Sequence, residues 1–493
     1  MLFTKPIHEL IESASAGYTK APVYISTNST QELTVPCKSH DNASTEFFVQ
    51  FDGRTLMERE VFIEYDLTLH LQHPTNDNDI NLFMSDFCVS HMPINTVIRR
   101  SHVAVNNTNV SFENANMIKA LQFYTSQDFC DIFPNQKDTI NNLNCLDRQN
   151  TGNEILNVCP LENNFRKACG VSGLFNSRAS QRPSNIVFSQ SVSNNDILDI
   201  TYHITETLIH PYFNTLIDSD DVLANITSLN VKLDYLSSLL SAFQVNSITS
   251  YKATGPTRSK AYANALLNTS VKITNPVMRL RIFYPAKSLI PAKTVHPLPD
   301  YTKFMFPTTG ANGPNYSGTF DTGIINMSKV PDQLMIFIKK QDDPSTLYET
   351  SAFGVVSKLT LQTDSATSFN NVNSRLLYEI SKRNGYNGKY NDFVENIGSV
   401  IYLDLRKADI PAVIPQQNTA FSFRLFGEFL NTTYGVIDIL STGFRTDPYN
   451  PATPTPASFG ATTSFSLHVI SINQGHAIIS HNDCIRDVGI KLY

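Results

Sequence analysis

The sequence predicts an all-β chain of two consecutive β-sandwiches, on three observations. Apolar residues recur with period two over long segments, and helical periodicity is confined to a few short stretches. The 493 residues also exceed what one hydrophobic core usually fills, roughly 250 to 300 residues. Period two sends alternate side chains to opposite faces of a strand and suits a sheet with one face on a core. Strands without regularly spaced crossover helices fit sandwiches or barrels rather than α/β folds.

The alternation is longest in Arg59–Gln72, where Val61, Ile63, Tyr65, Leu67, Leu69 and Leu71 interleave with Phe62, Glu64, Asp66, Thr68, His70 and Gln72. It returns at Leu198, Ile200, Tyr202 and Ile204, and at Leu229, Val231, Leu233 and Tyr235. In the second half it is read in Met278–Tyr284, Leu334–Ile338, Val400–Leu405, Phe421–Leu425 and Phe465–Ile472, with Asp487–Tyr493 as a last strand.

Helical spacing is clearest in Asn371–Asn384, where Val372, Leu376, Leu377 and Ile380 share a face and Gly385 supplies a C-terminal stop. A counterpart spans about Phe112–Ser126, with Met117, Leu121 and Tyr124 at helical spacing, and a third candidate is Pro6–Ser15 with Ile7, Leu10 and Ile11 on one side. Ser, Thr, Gly and Pro collect at Ser247–Ser259, which places the junction near residue 255. The expected organisation is therefore an N-terminal helix and extended arm over residues 1–40, a first sandwich over 41–255 and a second over 256–493. Long polar stretches at Cys130–Pro183, Pro285–Ser328 and Thr442–Thr463 read as surface insertions.

Composition narrows the function classes. Hydrophobic residues at 41% and aromatics at 10% suffice to fill two cores, so disorder is not expected. A net charge of −6 with no Lys/Arg block argues against a basic arm and direct, sequence-specific nucleic-acid binding. The seven cysteines, Cys37, Cys88, Cys130, Cys145, Cys159, Cys169 and Cys484, are odd in number and lack C-x-x-C spacing, which argues against a zinc ribbon or complete disulfide framework. Free thiols and folding in the cytoplasm or nucleus fit. The N-terminus carries Glu9 and Glu12 where a signal peptide would be apolar, and no 18-residue apolar window occurs. The N-x-S/T triplets at Asn28, Asn225, Asn268 and Asn431 are therefore read as unglycosylated. With Glu9 and Glu12 present and only Lys5 nearby, the N-terminal segment is read as packing on protein rather than on anionic lipid, with Tyr18–Thr34 as an extended arm. An internal membrane is thus not indicated.

Motifs for chemistry resolve into structural readings. Gly385-Tyr386-Asn387-Gly388-Lys389 is too short for a phosphate loop, and Gly170-Val171-Ser172-Gly173 lacks nucleophile-elbow spacing. His70 and His73 point to opposite faces of an extended chain and read as a solvated strand end, as do His476 and His481. Asp218, Asp220 and Asp221 lack the glycine and closing acid of a calcium loop, and Asp342-Asp343-Pro344 reads as a turn. No catalytic, cofactor-binding or metal residue is expected.

Ser374-Arg375-Leu376-Leu377-Tyr378-Glu379-Ile380-Ser381-Lys382-Arg383-Asn384-Gly385, followed by Gly398-Ser399-Val400-Ile401-Tyr402-Leu403-Asp404-Leu405 and Ala408-Asp409-Ile410, resembles the second sandwich of double jelly-roll major capsid proteins. Pro93-Ile94-Asn95-Thr96-Val97-Ile98 and Val105-Asn106-Asn107-Thr108-Asn109-Val110 resemble an early segment of the same proteins, the lineage of adenovirus hexon, tailless membrane phages, virophages and polinton-like viruses. The resemblance implies two jelly rolls, a homotrimeric pseudo-hexagonal capsomer tiling an icosahedral virion shell, penton and minor capsid partners, and no catalytic residues. A carbohydrate-binding or adhesive spike or fibre sandwich is the alternative, and a two-domain all-β hydrolase with convergent carboxylates a third reading.

Overall fold

The computed structural model describes residues 30–52, 55–72, 87–89, 93–121, 124, 183–189, 197–213, 222–237, 239, 242–245, 270–284, 293–310, 317–340, 353–363, 367–386, 390, 393–394, 398–405, 420–430, 465–480 and 483–488. The expected N-terminal helix at 6–15, the junction at 255, the acidic cluster at 218–221, the turn at 342–344, Gly170–Gly173, Asn387–Lys389, His73, His481 and the sequons at Asn28, Asn268 and Asn431 lie outside the described residues.

The first part of the chain forms β1 (Thr30–Pro36), β2 (Ser39–His40), β3 (Ser44–Gln50), β4 (Leu56–Gln72) and β5 (Phe87–Val89). Then follow α1 (Pro93–Val97), β6 (Ile98–Val105), β7 (Thr108–Phe112) and α2 (Asn114–Leu121). The chain returns through β8 (Pro183–Ser189), β9 (Ile197–Thr207), β10 (Val222–Leu223), β11 (Ser228–Tyr235), β12 (Phe243–Val245) and β13 (Ser270–Phe283). One sheet has the order β1-β13-β4-β9-β8 with β10 on β4, and the facing sheet β2-β3-β11-β6-β7, with antiparallel pairing throughout. Period two holds in β4: Val61, Ile63, Tyr65, Leu67 and Leu69 are buried, and the residues between them face outward and are partly exposed.

The expected boundary misplaces one strand. Met278–Tyr284 alternates as expected, but it is the end of β13, which pairs with β4 (Met278 opposite Ile63) and with β1, so it completes the first sandwich. Residues 30–34, read as part of an arm, are likewise strand β1 of that sheet.

The second part forms β14 (Lys293–Pro297), β15 (Asp300–Gly310), β16 (Ser317–Asp321), β17 (Ile325–Met327), β18 (Gln333–Lys340), β19 (Val355–Thr363) and β20 (Thr367–Asn373). After α3 (Ser374–Arg383) come β21 (Val400–Asp404), β22 (Phe421–Leu430), β23 (Phe465–Asn473), β24 (Gly475–Ser480) and β25 (Asp483–Val488). Its sheet follows β20-β19-β22-β16-β15-β23-β18-β21 and curls over at β15. Residues 300–307 of that strand pair with β23 and residues 308–310 with β16, so one strand belongs to both walls.

Period two fails in the wall β15-β23-β18-β21. Every described side chain of β18, β21 and β23 is buried, on both faces, as continuous apolar runs such as Leu334-Met335-Ile336-Phe337-Ile338 allow. One face, with Ile336, Val469 and Leu467, fills the second core; on the other, Tyr402 meets Tyr124 of the first half and Phe337 meets Phe353.

Helix α3 starts later than expected. Val372 belongs to β20, Asn373 is the N-cap with its side chain accepting from the Leu376 amide, and the buried side is Leu377, Ile380 and Ser381, whereas Leu376 is 45% exposed. Gly385, at φ +104°, ends it as expected. Asp487 and Val488 of the expected strand belong to β25, which begins at Asp483, and residues 489–493 are outside those described.

Candidate functional site, the junction of the two sandwiches

The two cores exchange elements. The first core takes in Leu298 with Ala477, Ile479 and Cys484 of the hairpin β24–β25. The second takes in Phe112, Ile209, Tyr124 and the α2 residues Met117, Ile118 and Leu121. Each buried Leu- or Ile-sized side chain contributes about 1.5 to 3 kcal/mol, so each half is held by apolar groups of the other.

Aromatic rings form the seam. Phe112 meets Tyr301 edge-on at 5.3 Å, and Tyr124 lies 4.7 Å from Tyr402 and 5.7 Å from Tyr386. The Tyr124 hydroxyl donates to the Val400 carbonyl oxygen, which ties Tyr124 to β21.

Polar contacts lock the hairpin on the other side. The Arg59 guanidinium, buried, donates from Nε to the Tyr212 carbonyl at 2.9 Å and from Nη2 to the carbonyls of Pro211 and Pro297 at 3.3 and 3.1 Å. Thr108 donates to the Cys484 carbonyl, the Asn106 amide to that of Ser480, and the Tyr212 hydroxyl lies 3.6 Å from Cys484 Sγ. Burial raises the Cys484 thiol pKa, so the group stays neutral. Cys37 and Cys484 are free thiols.

Charges cross the seam as well. Glu113 accepts from Lys303 of β15 and from Arg100 of β6. Burial opposes its ionisation, but these two cations outweigh it and hold its pKa below the ordinary value. Arg486 pairs with Asp300.

The outer face of the β1-β13-β4-β9-β8 sheet is charged and self-paired. His203 bridges Glu64 and Asp66, Arg279 also reaches Glu64, and Arg281 reaches Glu58. Hydrogen bonding to Asp66, with Glu64 adding to it, raises the His203 pKa. His70 pairs with Asp199, in keeping with a strand-end histidine. His476, by contrast, is buried in β24 rather than solvated, because its strand is the middle one of β14-β24-β25. Asn225, one of the N-x-S/T triplets, is buried at φ +61° with its carbonyl accepting from Asn106.

Among the described residues no cluster of His, Cys, Asp or Glu could hold a metal, and no helix is long and apolar enough to cross a membrane.

Period-two reading of the sequence passes over Arg59 and Glu206. The signal is present in it: Arg59 stands in phase with the core-facing Met57 and Val61, and Glu206 in phase with Ile200, Tyr202 and Ile204. A charge in register with an apolar face marks a buried charge with dedicated partners.

Residues 300–404 match the family model described as major capsid protein V20 C-terminal domain. The putative capsid protein V20 of Sputnik virophage is 23% identical over 362 residues, which covers 69% of this chain and 56% of that protein. The matched part thus spans little more than half the length of that relative. Among solved structures, a chain of the Sputnik virophage structure superposes with a TM-score of 0.71 at 17% identity, covering 97% of this chain and 91% of that one. The mavirus major capsid protein superposes with a TM-score of 0.66 at 13% identity over 97% and 93%. The chain has the fold of the double jelly-roll capsid proteins of virophages, and its residues 300–404 carry the sequence family of the V20 C-terminal domain.

Proposed function

We propose that this chain is a major capsid protein of virophage type, which trimerises into pseudo-hexagonal capsomers and tiles an icosahedral shell, and that its place is the virion. The observation that carries the reading is the interlocked pair of jelly rolls over nearly the whole chain, superposing on a Sputnik chain at a TM-score of 0.71. A hexagonal tile made from three copies requires each copy to present two sandwiches at a fixed mutual angle, and the exchanged elements at the junction set such an angle. The role is structural rather than enzymatic. Self-association is the principal partnership, with penton and minor capsid proteins as further partners. We place the division between the sandwiches after β13 rather than near residue 255, because β13 is hydrogen-bonded to β4 and β1.

Light scattering of the purified chain, with negative-stain images of the same fractions, tests this. A species of about 165 kDa, three times 55.1 kDa, with a six-cornered outline is the expected result. A monomer that persists across salt and protein concentration overturns it.

A further inference from the structure

The two sandwiches repeat one topology. Strands β1, β3, β4, β6, β7, β9, β11 and β13 correspond, in chain order and in sheet position, to β15, β16, β18, β19, β20, β21, β22 and β23. The wall β1-β13-β4-β9 is therefore the counterpart of β15-β23-β18-β21, and α2, which follows β7, is the counterpart of α3, which follows β20. Within one chain only half of this symmetry is used. The segment around α2 crosses the second sandwich from β15, where Phe112 meets Tyr301 and Glu113 meets Lys303, to β21, where Tyr124 meets Tyr402. Three strand spacings, about 14 Å, separate β15 from β21, close to the roughly 12 Å length of an eight-residue helix.

The counterpart surfaces face outward. Along β4 the outer face of the first wall carries Glu58, Glu60, Phe62, Glu64 and Asp66, all partly exposed, whereas every described side chain of β18, β21 and β23 is buried. Glu58 and Glu64 pair with Arg281 and Arg279, but among the described residues no salt bridge reaches Glu60. With Asn373 set on Asn114, the α3 residues Leu376, Leu377 and Ile380 fall on Met117, Ile118 and Leu121 of α2. Met117 is buried in the second core, yet Leu376 is 45% exposed. Around it α3 exposes Arg375, Lys382 and Arg383 with the one acid Glu379. An apolar centre with a basic surround thus stands on α3, and an aromatic in an acidic row stands on β4.

We propose that α3 docks on the outer face of the β1-β13-β4-β9 wall of a second copy of this chain, with Leu376 entering beside Phe62 and the basic flank of α3 along the acidic row of β4. The docking rests on the capsomer reading and names the contact that closes it. Because the two surfaces differ, each copy gives α3 to one neighbour and receives α3 from the other, a heterologous contact that closes into a ring. In a ring of three copies every helix of this kind then lies on a wall, α2 within a chain and α3 between chains. The wall of the second sandwich is dry because its own chain covers it, and that of the first is polar because it stays in water until a neighbour arrives. Opposite charge on the two surfaces steers the encounter and fixes its register.

Light scattering of Leu376→Asp beside the unaltered chain tests it, with far-ultraviolet circular dichroism to verify the fold. Leu376 is in the first turn of α3, where an acid suits the helix N-terminus, and it lies outside the core cluster, so the fold should persist. The expected result is an unaltered chain at about 165 kDa, three times 55.1 kDa, and a folded monomeric variant whose association is at least about tenfold weaker. A variant that remains trimeric overturns the docking and leaves the capsomer reading standing, whereas an unaltered chain that stays monomeric overturns both. Should Leu376→Asp fail to fold, carbodiimide cross-linking of trimers assembled from mixed light and heavy-isotope chains decides. Links between copies that join residues 374–384 to residues 56–72 support the docking, and their absence from the trimer overturns it.

Discussion

Replacing Arg59 with methionine removes the guanidinium that ties the first sandwich to the connection entering the second, while keeping an unbranched apolar stem of similar length. Three carbonyl oxygens, those of Pro211, Tyr212 and Pro297, lose a charged donor. A buried carbonyl left without a donor costs about 1 to 3 kcal/mol. Three of them give a gross loss of roughly 3 to 9 kcal/mol, set against the relief of no longer stripping water from a cation. A net loss of about 3 kcal/mol is expected, which for a chain of this size lowers the first unfolding transition by at least about 5 °C. Differential scanning calorimetry and urea unfolding of Arg59→Met measure it, with Arg59→Lys as control. The lysine keeps a charge but lacks the planar fork that reaches carbonyls of both the turn at 211–212 and β14, so it falls between the two. An unfolding free energy for Arg59→Met within about 1 kcal/mol of the unaltered chain would refute the reasoning, since the carbonyls would then be satisfied without the arginine.

Leu121→Ala, in the part of α2 that enters the second core, removes a side chain buried in that cluster. A loss of about 2 to 5 kcal/mol is expected by chemical denaturation, accompanied by faster proteolysis at the junction. Gly398 has φ +97°, and an added Cβ would stand 2.2 Å from the Phe353 carbonyl oxygen, a backbone atom that cannot swing aside. Gly398→Ala is expected to cost more than the roughly 1 to 2 kcal/mol of a left-handed alanine alone, visible as a large drop in soluble yield and melting temperature. His203→Gln tests the charged outer face. Because Asp66 and Glu64 raise the folded pKa of this histidine above 6.5, its stabilisation is full below that pH and fades as pH climbs through the raised value. The variant's melting temperature should therefore differ from that of the unaltered chain at pH 6 and converge with it in alkali. With the ring half exposed, the difference should stay under about 1 kcal/mol.

Local pattern alone carries the strand class and the phase of the long strands β4, β9, β11 and the end of β13. Alternation in Arg59–Gln72 needs only one wet face and one dry face, a condition that β4 meets, with buried Val61, Ile63 and Tyr65 against outward Phe62, Glu64 and Asp66. Local chemistry also announced α3 and its end at Gly385, while its start, capped by Asn373, lies later than the Asn371 read from spacing because Val372 pairs in β20. Which strands meet was settled by the folded chain. Strand β13 follows the linker in sequence yet lies between β1 and β4, because sheet pairing depends on register with distant partners that the segment's own pattern does not encode. For the same reason the two-sided burial of β18, β21 and β23 was legible as apolar runs, but the rings that meet their second face, Tyr124 of the opposite half on Tyr402 and Phe353 on Phe337, were not. Arg59 and Glu206 lie between these cases. Their being out of place on an apolar register is written in the sequence, while the carbonyls and amides that make such charges tolerable were assembled only when loops distant along the chain closed over them.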